Sequence, residues 1–281
     1  MHPIELNFDA VKTLLPKRLP IYHKGDCGKI LMLCGSVGYT GAPALAAMGA
    51  LRCGAGLVYL GVPKEIYDIE AVKLLEPVVF PLADCDGMLS TDAITEIESR
   101  LKGMDALLIG PGIGKSVGAE EVLKFVLAQF DGPVVVDADG INLLGKHKDI
   151  VRGRTKSTIL TPHSGEFQRI GYLSDNRVDS AVQLAKDLGC IVVLKGHESV
   201  TTDGRTVYLN KTGNPGMAVG GSGDVLAGII LALLGQKMDP LLAAACGVWL
   251  HGAAGDLCEK EMGQYSMLPS DILMALPRLL K

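Results

Sequence analysis

Short apolar runs that do not alternate with polar residues recur through the first two hundred positions: KILMLCG (29–35), LVYLGVP (57–63), VVF (78–80), DALLIG (105–110), VVVDADG (134–140), STILTP (157–162) and IVVLKG (191–196). A strand that is apolar on both faces needs cover on both faces, which is the situation of a parallel sheet held between two layers of helices. Helix-length stretches at 91–102, 118–130 and 178–189, and the segment PALAAMGALRCGAG from Pro43, lie between these runs. The alternation predicts an α/β chain, doubly wound into a three-layer α/β/α arrangement with a mostly parallel central sheet. The stretch ESVTTDGRTVYLN (198–210) differs, because Asp203-Gly204 sits between two strand-like pieces and predicts a small hairpin. From Ser222, the residues Val225, Leu226, Ile229, Ile230, Leu233 and Leu234 fall at helical spacing. A second helix is expected from Pro240 to about Cys258 and a short one after Ser270 or Asp271. No linker rich in proline, serine or charge divides the chain and no repeat is evident, so one domain over 1–281 is expected.

A chain of 281 residues can bury a large core. With 27 basic and 31 acidic side chains it carries a formal charge of −4 and no broad basic field, so nucleic acid is not an expected partner. Glycine fills 35 positions, well above the usual share of ~7%. Many backbone positions therefore need tight turns or close approach, which favours a binding site built from loops. The seven cysteines (27, 34, 53, 85, 190, 246 and 258) are odd in number, lack a CxxC pair and lie mostly in apolar stretches. They read as buried thiols in a reducing, cytoplasmic setting. The opening MHPIELNFDAVKTLLPKR does not read as a signal peptide, since Glu5 and Asp9 interrupt it. The apolar stretches 225–234 and 238–251 read as too short to cross a bilayer, so no membrane association is expected.

The segment LNKTGNPGMAVGGSGDVLAGII (209–230) carries the strongest chemical signal. Gly220 and Gly221, followed by Ser222 and Gly223 where a helix opens, let backbone N–H groups converge on one cavity and form a seat for an anion. Asp224 would then lie beside that anion, where a carboxylate can take a proton from an attacking hydroxyl, or it simply caps the helix. Thr161, His163 and Glu166 in LTPHSGEF sit just past a strand, where open α/β sheets bind ligands. Glu166 either caps the helix that begins near it or holds a magnesium-bound water. Lys195 follows another strand, as a partner for phosphates or as one more solvated lysine. Asp137 and Asp139 could orient magnesium through water or accept backbone N–H groups. Tyr39 could stack on a ring or pack its own loop. GPGIG (110–114) falls short of GxGxxG, and no HExxH, cysteine–histidine cluster or GxSxG is present, so no direct metal ligands, zinc hydrolysis or serine esterase chemistry are expected.

NPGMAVGGSGDVLAG resembles the signature of the ribokinase-like superfamily, and closely that of its ADP-dependent NAD(P)H-hydrate dehydratases, typically NPGMATGGTGDVLTG; Val219 and Ser222 replace threonines. GSVGYTGAPALAAMGALRCGAGLV (35–58), GPGIG, VDADGINLL (136–144), LTPHSGEF and LKGHESV (194–200) match the same family in order and spacing, from about residue 25 to the C-terminus. PHSGE argues against a sugar or hydroxymethylpyrimidine kinase. The resemblance implies repair of NADH or NADPH hydrated at C6, the S epimer: ADP phosphorylates the ring hydroxyl, phosphate leaves, and NAD(P)H, AMP and phosphate result. It makes Asp224 the base and Gly221, Ser222 and Gly223 the stabilisers of the phosphoryl in flight. Ala42, Gly112, Gly114, His163 and Asp224 become contacts of the hydrated dinucleotide. Lys195, Gly196, His197, Glu198, Ser199 and Gly223 become contacts of the nucleotide. Asn142 and Asn214 are phosphate-side contacts or turn chemistry alone, and the hairpin is expected over the adenine. Also implied are Mg²⁺, a homotetramer, and an epimerase on a separate polypeptide, since many bacterial members carry that domain ahead of this one. A small-molecule kinase and a non-catalytic nucleotide-binding protein remain the alternatives.

Overall fold

The computed structural model describes residues 2–281. The chain runs α1 (Phe8–Leu14), β1 (Lys29–Leu33), α2 (Gly41–Arg52), β2 (Leu57–Pro63), α3 (Lys64–Lys73), β3 (Val78–Leu82), β4 (Asp84–Cys85), β5 (Met88–Leu89), α4 (Ala93–Leu101), β6 (Ala106–Ile109), α5 (Val117–Gln129) and β7 (Val134–Val136). It continues with α6 (Asp139–Leu144), α7 (Lys148–Arg152), β8 (Thr158–Leu160), α8 (Ser164–Ile170), α9 (Arg177–Leu188), β9 (Ile191–Leu194), β10 (Ser199–Thr202) and β11 (Val207–Asn210). A 3₁₀ turn at Pro215–Met217 leads into α10 (Ser222–Gly235), α11 (Pro240–Met262) and α12 (Pro269–Leu279).

One nine-stranded sheet has the order β11-β10-β9-β8-β7-β6-β1-β2-β3. Neighbours from β9 to β3 pair in parallel, while β9–β10 and β10–β11 are antiparallel. Residues of each parallel strand divide between two cores. Ile30 and Met32 of β1 pack with α2, α10, α11 and α12, whereas Leu31 and Leu33 pack with α4, α5 and α9. Both faces of the central parallel strands are buried, which is why their sequences do not alternate, whereas the edge strand β3 exposes Val78 and Pro81.

The chain winds outward from β1 to β3, then returns to place β6 on the other side of β1. The order therefore reverses between β1 and β6, the usual place for a ligand crevice at the sheet's carboxyl edge in this class of fold, and the loops leaving those two strands are tied together there, the Gly35 N–H donating to the Pro111 carbonyl at 2.8 Å. Helix α10 is drawn tight against α2 over this crevice. A Cβ placed on Gly228 would lie 2.0 Å from the Ala46 carbonyl oxygen, so only glycine permits the approach. That packing fixes the start of α10 above the reversal.

The hairpin at 198–210 and the helices at 91–102, 118–130 and 178–189 fall where expected, to within two residues. The lead to residue 28 contains α1, capped by Asn7 accepting from the Ala10 N–H, and α3 and the β4–β5 hairpin carry no clear sequence signal. Helix α11 corrects one expectation. At 23 residues it is long and apolar enough to span a membrane by length and composition, yet 78% of its most apolar window is buried against the rest of the protein. The apolar surface is spent on internal packing. Six cysteines are buried as expected, but Cys85 is exposed in the β4–β5 hairpin.

Candidate active site

Helix α10 starts at an uncapped N-terminus. Its N-cap, Gly221, adopts the left-handed conformation at φ 98° and offers no side chain to the first turn. The Ser222 N–H turns back to the Val219 carbonyl, and the first intrahelical bond, from Val225 to Gly221, leaves the Gly223 and Asp224 N–H groups facing outward. These donors, together with the positive end of the helix dipole, make an anion seat. The Ser222 hydroxyl is committed elsewhere: it lies 3.2 Å from Nε2 of His251, whose pKa burial pushes down to about 4. Ser222 therefore has both its hydroxyl and its N–H engaged within the protein, and the outward-facing donors of this turn are those of Gly223 and Asp224.

Asp224 is the third residue of this helix. Burial and the nearby Asp137 and Glu166 raise its pKa to about 7, with Lys195 pulling the other way. A carboxylate poised near neutrality suits a general base. Helix capping by its side chain is not observed, since α10 has no side-chain cap.

Lys195 holds the acidic groups together. It ends β9, where its N–H bonds the Pro162 carbonyl and a bridge pairs it with His163 past the end of β8. Its ammonium lies 2.8 Å from Oδ1 of Asp137, which is 1% exposed, and 3.8 Å from Oε2 of Glu166. Burial alone would depress its pKa, but Asp137, Glu166 and Asp224 outweigh that and raise it. The ammonium is thus permanently charged. Gly223 joins this cluster to the anion seat, because a Cβ there would fall 3.3 Å from the Lys195 ammonium.

His163 caps α8 with its own ring. Nδ1 accepts from the N–H groups of Gly165 and Glu166, while Glu166 Oε2 accepts from the His163 N–H at 2.9 Å. A ring that accepts at Nδ1 carries its proton on Nε2, which lies 3.3 Å from Glu166 Oε1 on a side chain that is 57% exposed. His163 therefore presents one N–H donor on an exposed ring, beside Glu166. Glu166 acts as a cap and as a partner of Lys195.

Across the crevice, Gly112 lies against α2, with a Cβ built on it 3.2 Å from that of Ala42 and 3.0 Å from that of Tyr39. The Ser36 hydroxyl donates to the Gly112 carbonyl at 2.7 Å, and the Gly114 N–H donates to Asp139 at 3.1 Å. Asp139 also accepts from the Asn142 amide, so it fixes the 110–114 loop. Asp137 accepts from the Thr161 hydroxyl at 2.7 Å as well as from Lys195. The structure thus brings Ala42, Gly112 and Gly114 together on one wall, and Lys195, Gly223 and Asp224 together on another.

His197 and Glu198 are exposed at the tip joining β9 to β10, and the Ser199 hydroxyl closes that tip onto Gly196. Asn214 is not free for a ligand: its side chain accepts from the Gly216 N–H and donates to Asp256 of α11, which also holds the Gly213 N–H. The turn-chemistry reading describes Asn214. The role of Asp137 as the main partner of Lys195 was not visible in the sequence, and neither was that of His251 behind Ser222. Only the adjacency of β7, β8 and β9 reveals them.

A family model described as NAD(P)H-hydrate dehydratase matches residues 30–278. The bifunctional NAD(P)H-hydrate repair enzyme Nnr of Moorella thermoacetica is 41% identical over 278 residues, covering 96% of this chain and 52% of that protein. The chain spans about half the length of the curated relatives it matches. Among solved structures, the ADP/ATP-dependent NAD(P)H-hydrate dehydratase of Bacillus subtilis, co-crystallised with ATP and Mg²⁺, superposes with a TM-score of 0.82 at 31% identity, covering 97% of this chain and 96% of that one. A ribokinase-like superfamily protein of Enterococcus faecalis gives 0.87 at 28% identity, covering 98% and 94%. With a ribokinase-like fold, a family match across most of its length and relatives of this identity, the chain belongs to the NAD(P)H-hydrate dehydratase family.

Proposed function

We propose that the protein is an ADP-dependent (S)-NAD(P)H-hydrate dehydratase. The observation that carries this reading is the placement of Asp224, a carboxylate with a pKa of about 7, at an uncapped helix N-terminus backed by the part-buried Lys195 ammonium. Hydroxide leaves poorly near neutral pH and phosphate leaves well, so the hydrate is first phosphorylated. Asp224 takes the proton of the C6 hydroxyl, and the oxygen attacks the β-phosphorus of ADP as the bond to AMP breaks. The free N–H groups of Gly223 and Asp224 and the Lys195 ammonium stabilise the charge on the phosphoryl in flight. The C6–O bond then breaks, a proton leaves C5, and the ring double bond returns. One hydrate and one ADP yield one NAD(P)H, one AMP and one phosphate.

Ala42, Gly112, Gly114 and His163 would hold the hydrated ring and its dinucleotide. The main chain from Lys195 to Ser199 would hold the nucleotide. Mg²⁺ fits here only as a companion of the phosphates: among the described residues no group of three or more His, Cys, Asp or Glu side chains is arranged to bind a metal, and Asp137 and Glu166 are engaged with Lys195. The reading includes a cytoplasmic, homotetrameric enzyme supplied with the S epimer by an epimerase, whether on this polypeptide or another.

A small-molecule kinase of the same fold is the second reading, favoured by the same phosphoryl-transfer groups. Purified protein incubated with S-hydrated NADH, ADP and Mg²⁺ is expected to release NADH, AMP and phosphate in equal amounts. A stable phosphorylated product would instead indicate a kinase, and nucleotide binding without turnover a non-catalytic protein.

A further inference from the structure

Arg177 opens α9, away in sequence from every residue assigned above, yet its guanidinium joins the two loops that border Lys195. Nη2 donates to the carbonyls of Leu194 at 3.1 Å and Lys195 at 3.0 Å, and Nη1 donates to the Ser164 hydroxyl at 3.1 Å. Ser164 is the first residue of α8, next to the capping His163. One cation therefore staples the end of β9 to the first turn of α8.

Gly196 makes this possible. A Cβ built there would stand 2.8 Å from Nη2 and 3.2 Å from Cζ of Arg177, on a backbone at φ 153°. The space beside Gly196 where a side chain would stand is filled by the Arg177 guanidinium. All three bonded partners of that guanidinium are uncharged, and Nε is buried with no hydrogen-bond partner. A part-buried cation kept without a carboxylate is costly to the fold alone, and a ligand anion beside it recovers the cost.

We propose that Arg177 is the positioning residue of the nucleotide site. It fixes the main chain at 194–196, and with it the direction of Lys195, and its unpaired charge adds to the field that draws in a nucleoside diphosphate. The assignment rests on the nucleotide reading of residues 195–199.

The test is the dissociation constant for ADP, measured calorimetrically on the full chain, with NADH as a control ligand and the melting temperature recorded alongside. Arg177→Gln is expected to weaken ADP binding by about tenfold or more while NADH binding changes by less than about twofold. Arg177→Lys, which keeps the charge but lacks the second nitrogen that reaches the Ser164 hydroxyl, should recover part of the loss. Gly196→Ala, which pushes the guanidinium away, should follow Arg177→Gln and serves if that variant folds poorly. ADP affinity unchanged within about twofold in Arg177→Gln would overturn the proposal, as would equal losses for ADP and NADH or a parent protein that binds no ADP. A parent that binds ADP but converts no hydrate would refute the dehydratase reading and leave Arg177 in place.

Discussion

Asp224→Asn is expected to lower kcat by about 10²- to 10⁴-fold while leaving ADP affinity nearly unchanged, because the amide fills the same space and cannot take a proton. The parent's kcat/KM should rise with pH through an apparent pKa of about 7, set by burial and by Asp137 and Glu166, while the residual rate of the variant should lack that limb. Stability gives an independent reading of the same group. Its folded pKa lies above the unfolded carboxylate value, so its contribution is fully present below the unfolded pKa and is lost as pH rises through about 7. The variant should therefore melt higher than the parent at alkaline pH, with the gap narrowing toward acid. Thermal melts across pH would check this, and a variant that keeps parental kcat would remove Asp224 from the base position.

Lys195→Ala should do the opposite to the fold. It deletes the ammonium shared by Asp137, Glu166 and Asp224 and leaves a nearly fully buried carboxylate without its main partner. Breaking a buried pair from one side costs about 3–5 kcal/mol, so a marked fall in melting temperature is expected above the carboxylate range. Because Lys195 holds the Asp224 pKa down, its loss should also move the ascending limb of any residual pH–rate profile to higher pH. A limb that stays in place would mean that Lys195 and Asp224 are not electrostatically coupled.

The parts of the site that are contiguous in the chain were legible in advance. NPGMAVGGSGD announces a glycine-rich turn into a helix, and the apolar bursts announce a sheet covered on both faces. Groups that meet only through strand order were not. Asp137, Thr161 and Lys195 lie one residue past the ends of the successive neighbours β7, β8 and β9, a relation that no local pattern encodes. At Asn214 and Gly196 the fold adds partners from distant segments: Asp256 accepts from the Asn214 amide, and Gly196 makes room for Arg177. Helix α3 went unseen because its buried face includes Glu70, 0% exposed and paired to Lys73, where an apolar residue would have marked the period.

The account turns on where one carboxylate points when both ligands are present. A crystal structure of the protein with an AMP analogue and the S-hydrated dinucleotide should place an Asp224 oxygen within about 2.6–3.2 Å of the C6 hydroxyl, with the phosphate side of the nucleotide over the N–H groups of Gly223 and Asp224. A bound hydrate whose hydroxyl lies out of reach of Asp224, with the carboxylate turned away from the cleft, would contradict it.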